Sequence, residues 1–180
     1  MGCLRPSVVV MTTRTSTPET TFPEATALEP TAQAAPRVNL PKAAPEVYRA
    51  MAALDRAAHK GIDPALAELV KVRASQINHC AFCITMHTRD ARKGGETELR
   101  LQLLNAWAEA GGFFTPKEQA ALALTEAITV LTDGFVPDAV YQRAAEHFEE
   151  AELAQLIAVI FTINAWNRIA VTTRMDPASA

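Results

Sequence analysis

A chain of 180 residues is long enough for one domain with a substantial hydrophobic core and barely long enough for two. Nearly half of its residues are apolar (49%), about a fifth are charged (21%) and only seven are Gly, which excludes a fibrous or wholly disordered chain and suits a helical globular one. Seventeen Lys and Arg against 20 Asp and Glu give a net charge of -3 with no basic run, so nucleic acid is not an expected partner.

Residues 1–37 are crowded with Pro, Thr and Ala, including Pro18, Pro23, Pro30 and Pro36, and show no periodicity. They read as a disordered tail ahead of a single domain over 38–180. Met1-Gly2-Cys3 opens like an acylation signal, but Pro6 stands where that motif needs Ser or Thr. The Val8-Val9-Val10 run is shorter than the roughly 7 to 15 apolar residues of a secretory leader. Neither signal is expected, and the expected location is the cytoplasm.

The first helix is predicted from about Pro45 to Lys60, with Gly61 as its stop. Asp63-Pro64 is an N-cap followed by Pro at the first helical position, and Leu66, Leu69, Val70 and Ile77 give the next helix an apolar stripe. Asn78 is a candidate cap for a helix carrying Cys80 through Lys93, ended by Gly94-Gly95. A helix over about 96–110 presents Leu99, Leu103, Ala106 and Trp107 on one side. Thr115-Pro116-Lys117-Glu118 spells a capping box for a helix to about Leu131. Pro137 starts another to about His147, and Glu149 to Glu152 place acidic groups at the head of a last helix ending near Arg174. No segment alternates apolar and polar residues in the manner of a strand, so the fold class is all-α, with about six or seven helices. The uncharged stretch Leu153 to Asn167 is shorter than the roughly 20 residues of a membrane span and reads as a buried helix, so no membrane is expected.

Cysteine use points to the chemistry. Three cysteines are too few for a disulfide scaffold, and two of them, Cys80 and Cys83, form a Cys-x-x-Cys pair. On a helix, with about 100° per residue, Cys80, Cys83 and His87 share a sector of about 60°. A helix N-terminus or a nearby His lowers a thiol pKa and so raises the population of the nucleophilic thiolate. His87 can move a proton near neutral pH, and Glu68, one helix earlier, is the candidate carboxylate to orient it. A sulfenic acid formed on one sulfur can condense with the other before over-oxidation.

Other readings of these residues stand beside this one. The two cysteines can be core packing. Cys80, Cys83 and His87 can be three zinc ligands, with His79 or Glu68 as the fourth, although structural zinc sites usually draw on two separated segments. Glu68 can pair with Lys71 on its own helix. Haem attachment of the c type needs His directly after the second Cys, where this chain has Ile84. His79 flanks the helix start as a solvated or capping residue. Asn164, Asn167 and Arg168 interrupt the last apolar helix and need hydrogen bonds, most simply within an oligomer.

The run Leu66 to Asn78 leading into Cys80-Ala81-Phe82-Cys83 and Met86-His87-Thr88 resembles the alkyl hydroperoxidase D-like (AhpD-like) core of the carboxymuconolactone decarboxylase superfamily. Asn164-Ala165-Trp166-Asn167-Arg168 is similar to that family's last helix, and the likeness covers about 38–175. It implies a helical redox domain with a peroxide-attacking thiolate at Cys83, a resolving thiol at Cys80, and a proton relay through His87 and Glu68. It further implies a hydroperoxide substrate, a dithiol reductant of thioredoxin or lipoyl type, no cofactor, and a homo-oligomer, trimer or hexamer. The sequence departs from the hydroperoxidase at Phe82, where that enzyme carries another His. The superfamily's decarboxylase branch shares the helical fold but lacks the Cys-x-x-Cys, so its lactone lyase chemistry fits this chain less well and stands as the alternative enzyme activity.

Overall fold

The computed structural model describes residues 37–180, and every described element is helical. Eight α-helices are α1 (Leu40–Ala43), α2 (Pro45–Ala58), α3 (Pro64–Ile77), α4 (Ala81–Lys93), α5 (Glu98–Leu103), α6 (Pro116–Thr129), α7 (Asp138–Ala145) and α8 (Glu150–Thr173). The expected tail and Cys3 lie outside the described residues. The helix anticipated over about 96–110 is α5 followed by a tighter 3-10 segment, Leu104–Glu109, kinked at Ala106.

Local signals fix most of the ends. Asp63 accepts from the Leu66 amide at 2.8 Å, with Pro64 in the first turn of α3. Thr115 and Glu118 form the reciprocal capping box of α6. Gly95, at φ +95°, takes the left-handed conformation that ends α4.

The centre of the domain is α3. It packs against α4, α6 and α8, and Leu66, Ala67, Leu69, Val70, Lys71, Val72, Ala74 and Ser75 are all buried, so the stripe read from sequence understates it. One side of α3 faces the main core, where Leu66, Ala67 and Val70 meet Leu124 of α6 and Leu156, Val159 and Ile160 of α8. The other side faces a second cluster, in which Leu69 and Val72 meet Leu104, Phe114 and Leu122. A helix buried on both sides is apolar over most of its surface, and the polar residues that α3 does carry, Glu68, Lys71, Arg73, Ser75 and Gln76, are all hydrogen-bonded or ion-paired.

The last helix runs for 24 residues and is longer than the uncharged stretch suggested. By length and composition it is apolar enough to cross a membrane. In the fold it packs against α2, α3, α4, α6 and α7, with Leu156, Val159, Ile160 and Ile163 sealed in the interior. Replacing Leu156, 0% exposed, by Ala opens a cavity at the junction of α3, α6 and α8 and is expected to cost about 2 to 5 kcal/mol of stability, measured by denaturant unfolding.

Candidate functional site

The corner between α3 and α4 positions the dithiol. Asn78 is the C-cap of α3 and not the N-cap of α4, as the sequence had suggested. His79 follows at φ +52°, and the Cys80 amide then donates back to the Ser75 carbonyl at 3.0 Å, closing a Schellman turn. The N-cap of α4 is Cys80 itself. Its backbone is extended, and its Sγ accepts from the Cys83 amide at 3.3 Å. Cys80 therefore lies outside the helical geometry assumed from sequence, yet the cap brings its sulfur to Cys83. His87 follows Cys83 by one turn of α4, and all three side chains are buried.

The structure joins His87 to Glu68 as the spacing implied. His87 Nδ1 lies 3.0 Å from Glu68 Oε2, bridging α4 to α3. The alternative partner is engaged too: Lys71, buried on α3, places Nζ against Glu68 Oε1. Burial works to raise the Glu68 carboxyl, but the His87 hydrogen bond and the Lys71 charge outweigh it and hold the group below the usual carboxylate range. Lys71 thus keeps Glu68 an acceptor, and a carboxylate on Nδ1 leaves the other ring nitrogen of His87 free for proton transfer.

Three amides lie behind the sulfurs. Asn78 Nδ2 donates to the Ala74 carbonyl at 3.0 Å and to Oδ1 of both Asn164 and Asn167 at 2.9 Å. Asn167 Nδ2 donates to Ser75 Oγ at 2.9 Å, and that hydroxyl donates to the Lys71 carbonyl at 2.7 Å. The backbone carbonyls therefore set each amide's orientation, and Asn167, 1% exposed, must present its NH2 edge to α3 and the dithiol. Asn164 completes the set by donating to Thr129 Oγ1 and the Ile160 carbonyl. These asparagines are satisfied within one chain, and no oligomer contact is needed to explain them. Arg168 likewise reaches the Asn164 carbonyl at 2.8 Å.

The two thiols do not titrate alike. The Cys80 thiol is lowered to about 7, first by a hydrogen bond from the Cys83 thiol, against burial, and then by the Cys83 amide and Asn167. The same S–H donation, with burial, pushes the Cys83 thiol up, while Asn167 pulls it down. The pair therefore loses its first proton around neutral pH and holds its second one between the sulfurs.

Access divides them the other way. Cys83 and His87 border a cavity of about 230 Å³ whose other walls include Tyr48, Phe82, Met86, Trp166 and Met175, whereas Cys80 does not line it. Tyr48 and Trp166 meet edge to face at 5.2 Å, and Met175 packs with Phe82 against the cysteines. Sequence reasoning missed the roles of Ser75 and Asn167 and the walls supplied by Tyr48, Trp166 and Met175. Two asparagines three residues apart in an apolar helix were the visible signal; nothing in the sequence tied α2 or Met175 to the site. Among the described residues, no three His, Cys, Asp or Glu side chains converge to hold a metal, and His79 is exposed on the turn.

Thiolate absorbance should show one group titrating with a midpoint of about 7, and Asn167→Ala should move that midpoint toward the free-thiol value of about 8.5. Glu68 gives a separate pH signature. Because its folded carboxyl lies below the unfolded one, its contribution to stability is complete above the unfolded value of about 4.3 and disappears as pH falls through the folded value. Unfolding midpoints of Glu68→Gln recorded from pH 7 to 3 should therefore decline less steeply than those of the parent.

Known proteins place this arrangement in a family. Residues 45–127 match the model of the carboxymuconolactone decarboxylase family. The uncharacterized protein YdfG of Bacillus subtilis is 45% identical over 144 residues, which cover 79% of this chain and 97% of the relative. YnjA of Escherichia coli, also uncharacterized, is 30% identical over 99 residues, 55% of this chain and 53% of its own length. A crystal structure of ATU0492 from Agrobacterium tumefaciens, a protein of unknown function assigned provisionally to AhpD antioxidant defence, superposes with a TM-score of 0.75 at 35% identity, covering 78% of this chain and 97% of that one. The fold is also that of an uncharacterized peroxidase-related protein with an alkylhydroperoxidase AhpD core from Ralstonia eutropha (TM-score 0.65, 22% identity, 74% and 72% covered). The helical fold, the α3–α4 dithiol corner and these likenesses agree: the chain belongs to the AhpD-like group of the carboxymuconolactone decarboxylase family.

Proposed function

We propose that the chain is a Cys-x-x-Cys thiol peroxidase that reduces organic hydroperoxides and is recycled by an external dithiol. The observation that carries this reading is a buried Cys80–Cys83 thiol pair at the head of α4, with the Cys83 sulfur opening onto a largely apolar cavity beside a carboxylate-oriented histidine.

The chemistry balances within these groups and two reactants. Cys83, the sulfur that borders the cavity, gives up its proton to His87 or to the adjacent Cys80 sulfur, a short transfer within an already shared pair. The Cys83 thiolate attacks the terminal peroxide oxygen, the O–O bond breaks, and the alkoxide leaves as an alcohol after taking a proton from the relay. Cys83 is then a sulfenic acid. The Cys80 thiolate attacks its sulfur, the disulfide forms, and hydroxide departs as water after protonation. An external dithiol, of the thioredoxin or lipoyl kind, returns two electrons and two protons by thiol-disulfide exchange.

Access supports Cys83 as the attacking sulfur, and the charge on Cys80 supports its role as resolving thiolate. Phe82 lines the cavity where the better-known hydroperoxidase has a second histidine, so the relay here runs through His87 and Glu68 beside the dithiol itself. Three cysteines are too few for the disulfide scaffold of a small secreted domain, and their use as a Cys-x-x-Cys pair supports a cytoplasmic location. Phe161 and Val171 of α8 are about half exposed, and Phe135, on the α6–α7 connection, is more so, which supports a homo-oligomer.

One equivalent of hydroperoxide should remove two mass units from the Cys80–Cys83 peptide. Cys83→Ser and Cys80→Ser should each lower peroxide turnover by about two orders of magnitude or more, and Glu68→Gln or His87→Gln by about 10²-fold. Turnover that survives both cysteine substitutions, or survives thiol alkylation, would sink this reading and favour the lyase chemistry of the wider family.

A further inference from the structure

The cavity above Cys83 has a sign of charge as well as a shape. Its walls are mostly aromatic and thioether side chains, and besides Cys83 and the Tyr48 phenol two ionisable groups reach it, His87 and Asp55. His87 is committed to Glu68. Asp55 on α2 is held in place: its Oδ1 accepts from Trp166 Nε1 at 3.3 Å, and Trp166 itself is pinned by Tyr48. His59, one turn along α2, is the other titratable group beside it. Its Nδ1 is 3.9 Å from Asp55 Oδ1 but makes its hydrogen bond, at 2.7 Å, to the Asp55 backbone carbonyl. Among the described residues, no Lys or Arg lines the cavity. The Asp55 side chain is 37% exposed, so solvent screens it from outside while apolar walls carry its field inward.

We infer that Asp55 makes this cavity select its reactants by charge, admitting uncharged or cationic apolar-bodied hydroperoxides and repelling those that bear a carboxylate. The part concerning hydroperoxides rests on the thiol peroxidase reading; the filter itself acts on any molecule approaching Cys83. The entering body meets the rings of Tyr48, Phe82 and Trp166, and a carboxylate on it would meet Asp55 with no Lys or Arg lining the cavity to neutralise either. Orientation of the peroxide end toward Cys83 follows from the apolar body seeking the aromatic wall.

Two alkylating agents of similar size and opposite consequence test the filter without requiring peroxidase activity. The reduced full-length protein is treated with iodoacetamide or iodoacetate, and modification of the Cys83 peptide is followed by mass spectrometry. Relative to a free cysteine peptide, iodoacetate should be disfavoured against iodoacetamide by about tenfold, and Asp55→Asn, which keeps an acceptor for Trp166, should recover most of that factor. Raising the salt concentration should narrow the difference in the parent and do little in the variant. An iodoacetate to iodoacetamide ratio that is the same in parent and variant overturns the inference. So does a parent ratio indifferent to salt, a measurement that stands even if Asp55→Asn unfolds.

A parallel pair of substrates, cumene hydroperoxide and its para-carboxylate, extends the test to turnover. The neutral compound should be consumed about tenfold faster by the parent, with the gap closing in Asp55→Asn. If neither compound is consumed, the peroxidase reading fails while the alkylation ratios still decide the filter.

Discussion

The hydrogen bonds that join Asn167 to Ser75 and Asn78 hold the rest of the site in place. They tie α8 to the end of α3 at the point where the chain turns into the dithiol. A buried amide left without partners would cost on the order of 1 to 3 kcal/mol, so the two helices have a strong preference for the one arrangement that satisfies all of them. That arrangement also decides where the sulfurs lie, since Ser75 accepts the Cys80 amide through its carbonyl and the Asn167 amide through its hydroxyl. Packing around it is apolar and tolerant; the amides supply the direction that packing lacks.

Charge is arranged with the same economy. Lys71 and Glu68 are one turn apart on a helix whose other inward residues, Ser75 apart, are aliphatic, and each makes the other's burial affordable. His87 joins them from α4, so a three-member chain of side chains runs from the core to the cavity wall. A lone buried Glu would tend to protonate and stop orienting its histidine; the hydrogen bond from His87 and the charge of the lysine together prevent that. The pair's worth lies in fixing a protonation state and a geometry, with net stability a secondary matter.

Much of this was legible in the chain. Pro64, Pro116 and the Thr115–Glu118 box announced helix starts that formed where expected, because capping is a local bargain between a side chain and nearby amides. Cys80, Cys83, His87 and Glu68 converge, and three of the four lie within eight residues, so helical spacing could bring them together. The start of α4 was misread by two residues because Asn78 is a fair cap for either helix. Its choice was made by partners about 90 residues away, Asn164 and Asn167, which no local rule can weigh. The cavity was the least legible part. Tyr48, Asp55, Trp166 and Met175 come from α2, α8 and the segment after it, and only the tertiary crossing of those elements assembles them.

A capping atom that can itself lose or gain a proton has a consequence for the helix it caps. Most helices are held at their first turn by an oxygen that does nothing else, but α4 is held by Cys80 Sγ, and the amide it accepts from belongs to Cys83. Proton affinity of the dithiol and stability of the helix start are therefore linked quantities, in the thermodynamic sense. A negative sulfur is the better acceptor, so ionising the pair tightens the first turn of α4, and protonating it loosens that turn by the same free energy. The first turn of α4 thus reports the charge state of the pair, and that same turn presents Cys83 to the cavity.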